Sequence, residues 1–359
     1  MNSLATKRKQ IVGVDLFCGA GGLTCGLEKA GIDIRLGIDI DSACSYPYAE
    51  NNRASFLQKS VADVTADELR KSFDGAEVTL LAGCAPCQTF SSYNQKATPS
   101  DERWWLLLEF ARLIKETEPD LVTMENVPGL RDQDVFTPFL GTLAAHDYQV
   151  DHQIVVCHEY GLPQQRQRLV LLASRLGPIR LLSPKEFRRK RTTVAQAISG
   201  LPALDAGGVH NRDPLHRCST LSPINLERIR ASTPGGTWRD WPEHLVADCH
   251  QKDTGRTYPS VYGRMRWDEP SPTLTTQFFG FGNGRFGHPE QDRAISLREG
   301  AILQSFPKNY RFVPPGEPVH MKTIGRLIGN AVPVVIGELI GKSILRHLSE
   351  TEQARSHPL

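Results

Sequence analysis

Residues 15–31 read DLFCGAGGLTCGLEKAG and continue the apolar run IVGVDLF of residues 11–17. A β-rich apolar run, a turn carrying glycines at 19, 21 and 22, and a helical stretch over 23–30 form the opening of a βαβ unit. Glycines there permit positive backbone angles and a close ligand approach that side chains would block. The turn departs from G-x-G-x-x-G, and no lysine follows it as a phosphate-binding loop requires. Outward from this stretch the alternation repeats. Strand-like runs lie at 32–40, 76–82, 120–125, 153–157 and 168–173, and WWLLLEFARLIK (104–115) has helical periodicity. Strands alternating with helices predict an α/β fold with a doubly wound, mostly parallel sheet.

The chain has 359 residues, with 42 Lys and Arg against 40 Asp and Glu, a net charge of +2. At roughly 100–200 residues per domain this length predicts two domains. The charge balance excludes a strongly basic, histone-like protein. It leaves room for a nucleic-acid enzyme, because a small total can average over a local basic face. Hydrophobic residues make up 40% of the chain and mean hydropathy is −0.33, values that exclude a disordered protein. No run approaches the roughly 20 apolar residues of a membrane span. The start, MNSLATKRKQ, lacks a secretory pattern, and the eight cysteines form no small-domain disulfide framework. The expectation is a cytoplasmic enzyme with reduced thiols and no membrane partner.

From about residue 181 prolines and glycines multiply and helical periodicity fades. Eleven Lys and Arg stand between Arg180 and Arg239 against four acids, Glu186, Asp205, Asp213 and Glu227. This predicts a second, smaller, irregular and positively charged domain. Helical pattern returns at 297–304 and at 333–348.

The candidate chemistry sits at strand ends. Asp39 closes the second strand, where a carboxylate accepts hydrogen bonds from ribose hydroxyls, so a nucleoside-containing cofactor fits. Asp63-Val64, after a short further segment, holds a base ring or forms a plain surface turn. The strand at 76–82 ends in GCAPCQTFSS (83–92), which puts Cys87 at the carboxyl edge of the sheet. Cys84 and Cys87 also form a C-x-x-C, open to a zinc or a dithiol reading; the region lacks a second ligand pair and the small-domain setting that those readings need. Glu125 ends the next strand in MENVP (124–128), and PQQRQR (163–168) leads into another. Alternation in that strand points Arg166 and Arg168 the same way, as a fixed cationic pair.

In this order the pieces resemble the DNA (cytosine-5)-methyltransferase family. The matching strings are DLFCGAGG, Asp39, Asp63-Val64, GCAPCQ, MENV, QQRQR, SLREGAILQSFP (296–307) and GNAVPV (329–334), with a variable region before the last two. The resemblance implies the S-adenosylmethionine-dependent methyltransferase fold with a target-recognition domain. The expected boundaries are 1–184 for the catalytic domain, 185–305 for target recognition, and 306–359 for a segment returning to the first. It also implies S-adenosylmethionine as methyl donor and no metal. By motif position Phe17, Gly19, Ala20 and Gly22 line the methionine and adenosine parts, and Asp39 takes the ribose. Ile40 lies against the adenine, Asp63 and Val64 at the ring edge, and Pro86 nearby. Asn330 and Ala331 close the pocket; family members usually carry Ser where Ala331 stands, so a hydroxyl contact is absent there.

The chemistry explains these residue types. Cytosine C5 is a poor nucleophile until a thiolate adds to C6, breaks the aromaticity and makes C5 enamine-like. The resemblance assigns that attack to Cys87, with Cys84 left to packing. Protonated Glu125 donates to N3 and accepts from the exocyclic amine. Arg166 addresses O2, and Arg168 orients Glu125 or Cys87. The target base must leave the duplex stack, with residues 89–103 as a closing lid and Gln88 or Ser91 on its backbone. GRMRW (263–267), PSPTLTTQ (270–277) and FGFGNGRFGH (279–288) are the candidate DNA-binding loops, while Arg298 and Glu299 are read as an inter-domain hinge. The expected partners are duplex DNA and a restriction endonuclease or phage-defence system, with the chain a monomer. The rival substrate is tRNA, whose methylating branch carries a Cys-Phe-Thr string; here the nearest is Cys218-Ser219-Thr220. A non-catalytic DNA-binding or thiol-redox protein is the rival class.

Overall fold

The computed structural model describes residues 9–86, 105–252 and 256–356. The chain divides into two units: residues 1–155, 167–188 and 334–359 form the first, and 156–166 with 189–333 the second.

The first unit follows the expected alternation. β1 (Ile11–Leu16), α1 (Gly22–Ala30), β2 (Asp33–Asp39), α2 (Ser45–Asn51), β3 (Ser55–Gln58), α3 (Ala66–Ser72), β4 (Val78–Gly83), α4 (Trp105–Thr117), β5 (Leu121–Asn126), α5 (Phe136–Ala145) and β6 (Gln149–Val156) come first. After the two-residue β7 (Gln164–Gln165) of the second unit, β8 (Gln167–Ser174) and α6 (Pro184–Phe187) follow. The strands form one seven-stranded sheet in the order β3-β2-β1-β4-β5-β8-β6. β1 to β5 pair in parallel, and β8 runs antiparallel to β5. The order reverses at β1, which has β2 on one side and β4 on the other. This is the switch point at which open α/β sheets leave a crevice. β1 is buried along its whole length, as a strand covered on both faces must be. One core cluster includes Val12, Val14 and Leu16 of β1, Leu81 of β4, Val122 and Met124 of β5, and Phe110, Leu113 and Ile114 from α4.

The second unit is mostly loop. It holds α7 (Val194–Ile198), the hairpin β9 (Val209–His210) and β10 (Asp213–Arg217), α8 (Pro223–Ala231), α9 (Asp248–Gln251), β11 (Ser271–Pro272), α10 (Leu297–Leu303) and α11 (Met321–Asn330). β11 pairs with β7 in parallel. Because so few ladder hydrogen bonds are available, buried polar side chains hold the loops. Arg293, fully buried, makes a bidentate pair with Glu299 at 2.8 Å on both arms. Arg298 holds Asp213 at 2.6 and 3.0 Å and the Tyr310 carbonyl at 2.9 Å. These partners lie inside the second unit, so Arg298 and Glu299 are internal braces of it and not the expected hinge. They also shift the boundary. The helix of SLREGAILQSFP is every residue buried and belongs, with α11, to the second unit. The chain therefore returns to the first at Val334, not near 306.

The return is made by α12 (Val334–Ser356). Its apolar character belongs to the core: Val335, Ile336, Leu339, Ile340 and Ile344 are buried, and the helix packs along α1. The approach is close because glycines face each other. A Cβ on Gly26 would fall on the main chain of Val334, Gly337 and Glu338, and one on Gly337 would lie 2.7 Å from the Leu23 carbonyl. Gly26→Val is expected to cost about 1–3 kcal/mol by overpacking. It would appear as a lower thermal midpoint by circular dichroism, whereas Gly141→Ala, in open space on α5, holds or raises it.

Candidate active site

Two turns leave adjacent strands at the switch point. The first follows β1. Phe17 has φ 57°, Gly19 φ 53° and Gly21, at the N-cap of α1, φ 88°. Three left-handed residues in five curl the chain so that it leaves the strand and enters the helix within one tight turn. The Gly19 amide donates to Asp39 Oδ2 and the Asp41 amide to Oδ1, both at 2.9 Å. Burial pushes the Asp39 carboxyl above its usual value, and these hydrogen bonds oppose that. Nothing stands within 4 Å of where a Gly19 Cβ would be. Beside Asp39 the Ile40 side chain is 68% exposed, an apolar surface left largely uncovered among the described residues. Open space over a glycine turn, an adjacent carboxylate and an uncovered apolar side chain suit a nucleoside with a charged tail. Ala20 and Gly22 are buried in the turn. Asp63 is exposed, whereas the Val64 side chain belongs to the core cluster, leaving Asp63 and the main chain to address a ligand. Pro86 is exposed. Asn330 and Ala331 lie in the second unit, where the Ala331 carbonyl accepts from Gln304 at 2.5 Å.

Under the turn lies a group that motif reading passed over. Asp15 is fully buried; its Oδ2 accepts from Thr24 Oγ1 at 2.6 Å, and Thr24 in turn meets the Tyr48 hydroxyl at 2.9 Å. Burial, the largest influence, drives the Asp15 carboxyl up to about 7.

The second turn follows β4. The Cys84 amide donates to the Leu16 carbonyl at 3.2 Å, continuing the β1–β4 ladder by one rung. Cys87, Gln88, Ser91 and residues 89–103, the expected nucleophile, backbone contacts and lid, lie outside the described residues. Glu125, at the end of β5, is 3% exposed. Its Oε1 is 2.8 Å from Arg168 Nε, and its Oε2 accepts from Cys84 Sγ at 2.9 Å. Cys84 is thus a partner of the acid at a half-buried position, not a packing residue. Asn126 Nδ2 donates to the Ala85 carbonyl at 3.0 Å, tying the two strand ends together.

Arg166 and Arg168 do not form the expected pair. The strand breaks at Arg166, which belongs to the second unit. Its guanidinium, 2% exposed, donates to the Leu274 and Gly329 carbonyls at 3.1 Å each and to Gln164 Oε1 at 3.4 Å. These bonds tie the Arg166 guanidinium to loops of the second unit. Likewise Arg264 of GRMRW is buried on the Ile229, Ser232, His288 and Gln291 carbonyls and Asp292. Cys218 donates to the Asp205 carbonyl at 3.0 Å, a structural role for that string. The exposed cations of the second unit include Lys190, Arg191, Arg212, Arg230, Arg239 and Arg256.

The profile of C-5 cytosine-specific DNA methylases matches residues 11–346. The chain belongs to that family. It is 50% identical over 338 residues to the type II methylase M.HgiDII of Herpetosiphon aurantiacus, covering 93% of this chain and 95% of that one. It is 31% identical over 348 residues to the type II methyltransferase M.Eco47II of Escherichia coli, covering 94% and 79%. Among solved structures, a prophage-encoded E. coli protein described as a DNA modification methyltransferase aligns over 95% of this chain and all of that chain. Its TM-score is 0.72 at 24% identity. A Dnmt2 from Spodoptera frugiperda aligns with TM-score 0.60 at 16%; both likenesses show the fold alone. The methylase therefore uses S-adenosylmethionine to methylate cytosine C5 in DNA, and neither tRNA nor a non-catalytic role is favoured.

The buried acid of the methylase gives a pH signature. Folded, Asp15 keeps its proton up to about pH 7; unfolded, it releases it near the ordinary 3.8. The folded state binds the extra proton between these values, so the Asp15 contribution is intact below 3.8 and is lost as pH rises through about 7. Raising pH from 5 to 8 should lower the thermal midpoint of the wild type more than that of Asp15→Asn. Equal pH slopes for the two would remove Asp15 as the cause.

Proposed function

We propose that Cys87 is the nucleophile and Glu125 the general acid of a type II modification methylase acting on a cytosine flipped out of duplex DNA. The observation carrying this reading is the buried Glu125 carboxylate paired with Arg168 near the end of β5, the strand beside β4, which ends four residues before Cys87.

S-adenosylmethionine, when bound, would supply an electrophilic methyl group; Asp39, Ile40, Asp63 and the turn at Phe17, Gly19, Ala20 and Gly22 would hold it. Cys87 adds its thiolate to C6 while Glu125 delivers a proton to N3, so the electrons displaced from the C5–C6 bond are stabilised rather than left as an anion. Glu125 then accepts from the exocyclic amine, a contact thymine cannot make. After C5 gains its methyl, the C5 proton leaves to water, the N3 proton returns to Glu125 and the Cys87–C6 bond breaks with the thiolate as leaving group, restoring the ring and the acid. Arg168, ion-paired through Nε with one carboxyl oxygen, sets the direction in which Glu125 presents the other. Arg166 acts as a positioning residue through the loops it holds. The exposed cations of the second unit bind DNA phosphates.

The type II names of the relatives support a place beside a cognate restriction endonuclease, in the cytoplasm, and a monomeric enzyme suits a target read by one compact unit. Labelled methyl transfer to duplex DNA and to tRNA tests the substrate. Bisulfite sequencing of DNA from expressing cells gives the methylated site.

Cys87→Ser should abolish methylation while S-adenosylmethionine binding persists. Glu125→Gln should slow it about a hundredfold to ten-thousandfold. With duplex DNA carrying 5-fluorocytosine, where fluorine cannot leave as a proton, intact-protein mass should show a covalent adduct in the wild type and none in Cys87→Ser. An adduct that survives Cys87→Ser would transfer the nucleophile elsewhere.

A further inference from the structure

Both oxygens of Glu125 have a side-chain neighbour within 3 Å: the motif arginine makes an ion pair with one, and a cysteine thiol hydrogen-bonds the other. Oε1 faces Arg168 Nε at 2.8 Å, while Oε2 faces Cys84 Sγ at 2.9 Å. The thiol is the donor in the second contact and the carboxyl oxygen accepts. Leaving a buried carboxylate oxygen without a donor is costly, and Glu125 is 3% exposed. Cys84 itself is fixed by main chain: its amide donates to Leu16 at the end of β1. The next carbonyl, of Ala85, is held by Asn126 at 3.0 Å. The residues either side of the sheet edge are therefore cross-tied twice, once by Cys84 onto Glu125 and once by Asn126 onto Ala85.

We propose that Cys84 is a positioning residue, its thiol holding Oε2 of Glu125 in the substrate-free enzyme and so presetting the carboxyl rotamer that meets the cytosine ring. The proposal rests on the role given to Glu125 above. The incoming base takes over Oε2, and the thiol contact is exchanged for one to the base without a search among side-chain rotamers.

A packing role and a donor role rank two variants in opposite order. Cys84→Ser keeps a donor and adds polarity; Cys84→Ala keeps an apolar side chain and loses the donor. If the thiol acts as a donor, Cys84→Ser retains most of the wild-type rate and Cys84→Ala falls about tenfold, the scale of a hydrogen bond to a charged group. The loss should fall on kcat, with KM for S-adenosylmethionine unchanged because its cradle follows β1. The direct readout is the single-turnover rate of adduct formation with 5-fluorocytosine duplex, followed by intact mass and normalised to the fraction of protein that binds S-adenosylmethionine. That normalisation removes any loss of folded protein from the comparison. In a Glu125→Gln background Cys84→Ala should add nothing further. Cys84→Ala at the wild-type rate with Cys84→Ser slowed, or a tenfold Cys84→Ala effect that persists beside Glu125→Gln, would overturn the proposal. Failure of the underlying reading is separate: Glu125→Gln alone would then leave adduct formation unchanged.

Discussion

The antiparallel pairing of β8 with β5 is the constraint on which the catalytic geometry depends. β1, β4 and β5 all point their carboxyl ends to one edge, so the glycine turn, the Cys84 segment and Glu125 emerge side by side. A cation is needed at the same edge, and a parallel strand entering from the opposite side would begin far from it. β8 runs the other way: Asn126 pairs with Leu169 and Glu125 with Val170. The start of β8 thus lies against the end of β5, and Arg168 reaches Glu125 from its neighbouring strand. One reversed strand brings the acid and its cation together without any loop having to reach across the sheet.

That arrangement also decides how the acid is kept. A carboxylate at 3% exposure loses most of its hydration, which several kcal/mol of attraction and hydrogen bonding must offset. Arg168, 12% exposed, is itself largely desolvated and retains a further bond to the Gln167 carbonyl at 2.7 Å. Both charges therefore sit in a medium where their attraction is strong and their geometry is set by strands. Strand-borne groups lose little freedom when they meet, and this preorganisation favours a proton donor that must act within one orientation.

The parts of this design written in local pattern could be read from the chain. IVGVDLF and its glycine turn announce β1 and α1, AEVTLLA ends at the turn before Cys87, and DLVTME ends at Glu125, because buried parallel strands are short apolar runs and their ends carry the polar exceptions. Partnership across the chain could not be read. PQQRQR shows two arginines in alternation, yet the strand breaks at Arg166, and its carbonyl partners at 274 and 329 are more than a hundred residues away. Cys84 reads as an apolar residue at a strand end because nothing near it in sequence is Glu125. Asp15 is part of a familiar string, but its burial and its Thr24–Tyr48 chain depend on two helices, α1 and α2, packing over it. The return at Val334 rather than near 306 was hidden for the same reason. Helical period shows that α10 and α11 exist, not which unit buries them.

The second unit has a related division of labour among its arginines. A loop-rich unit has few backbone ladders, so its carbonyls must find donors elsewhere, and a guanidinium with five N–H groups can satisfy several at once. Arg264 does so from a string that reads, in sequence, as a DNA-binding loop, and Arg298 from one that reads as a hinge. Counting basic residues therefore overstates the charge offered to DNA, since part of it is internal cement. The exposed subset, Lys190, Arg191, Arg212, Arg230, Arg239 and Arg256 among them, is the part that phosphate can reach. A net charge of +2 is then no paradox for a DNA enzyme: affinity depends on which cations remain in solvent on one unit, not on the total.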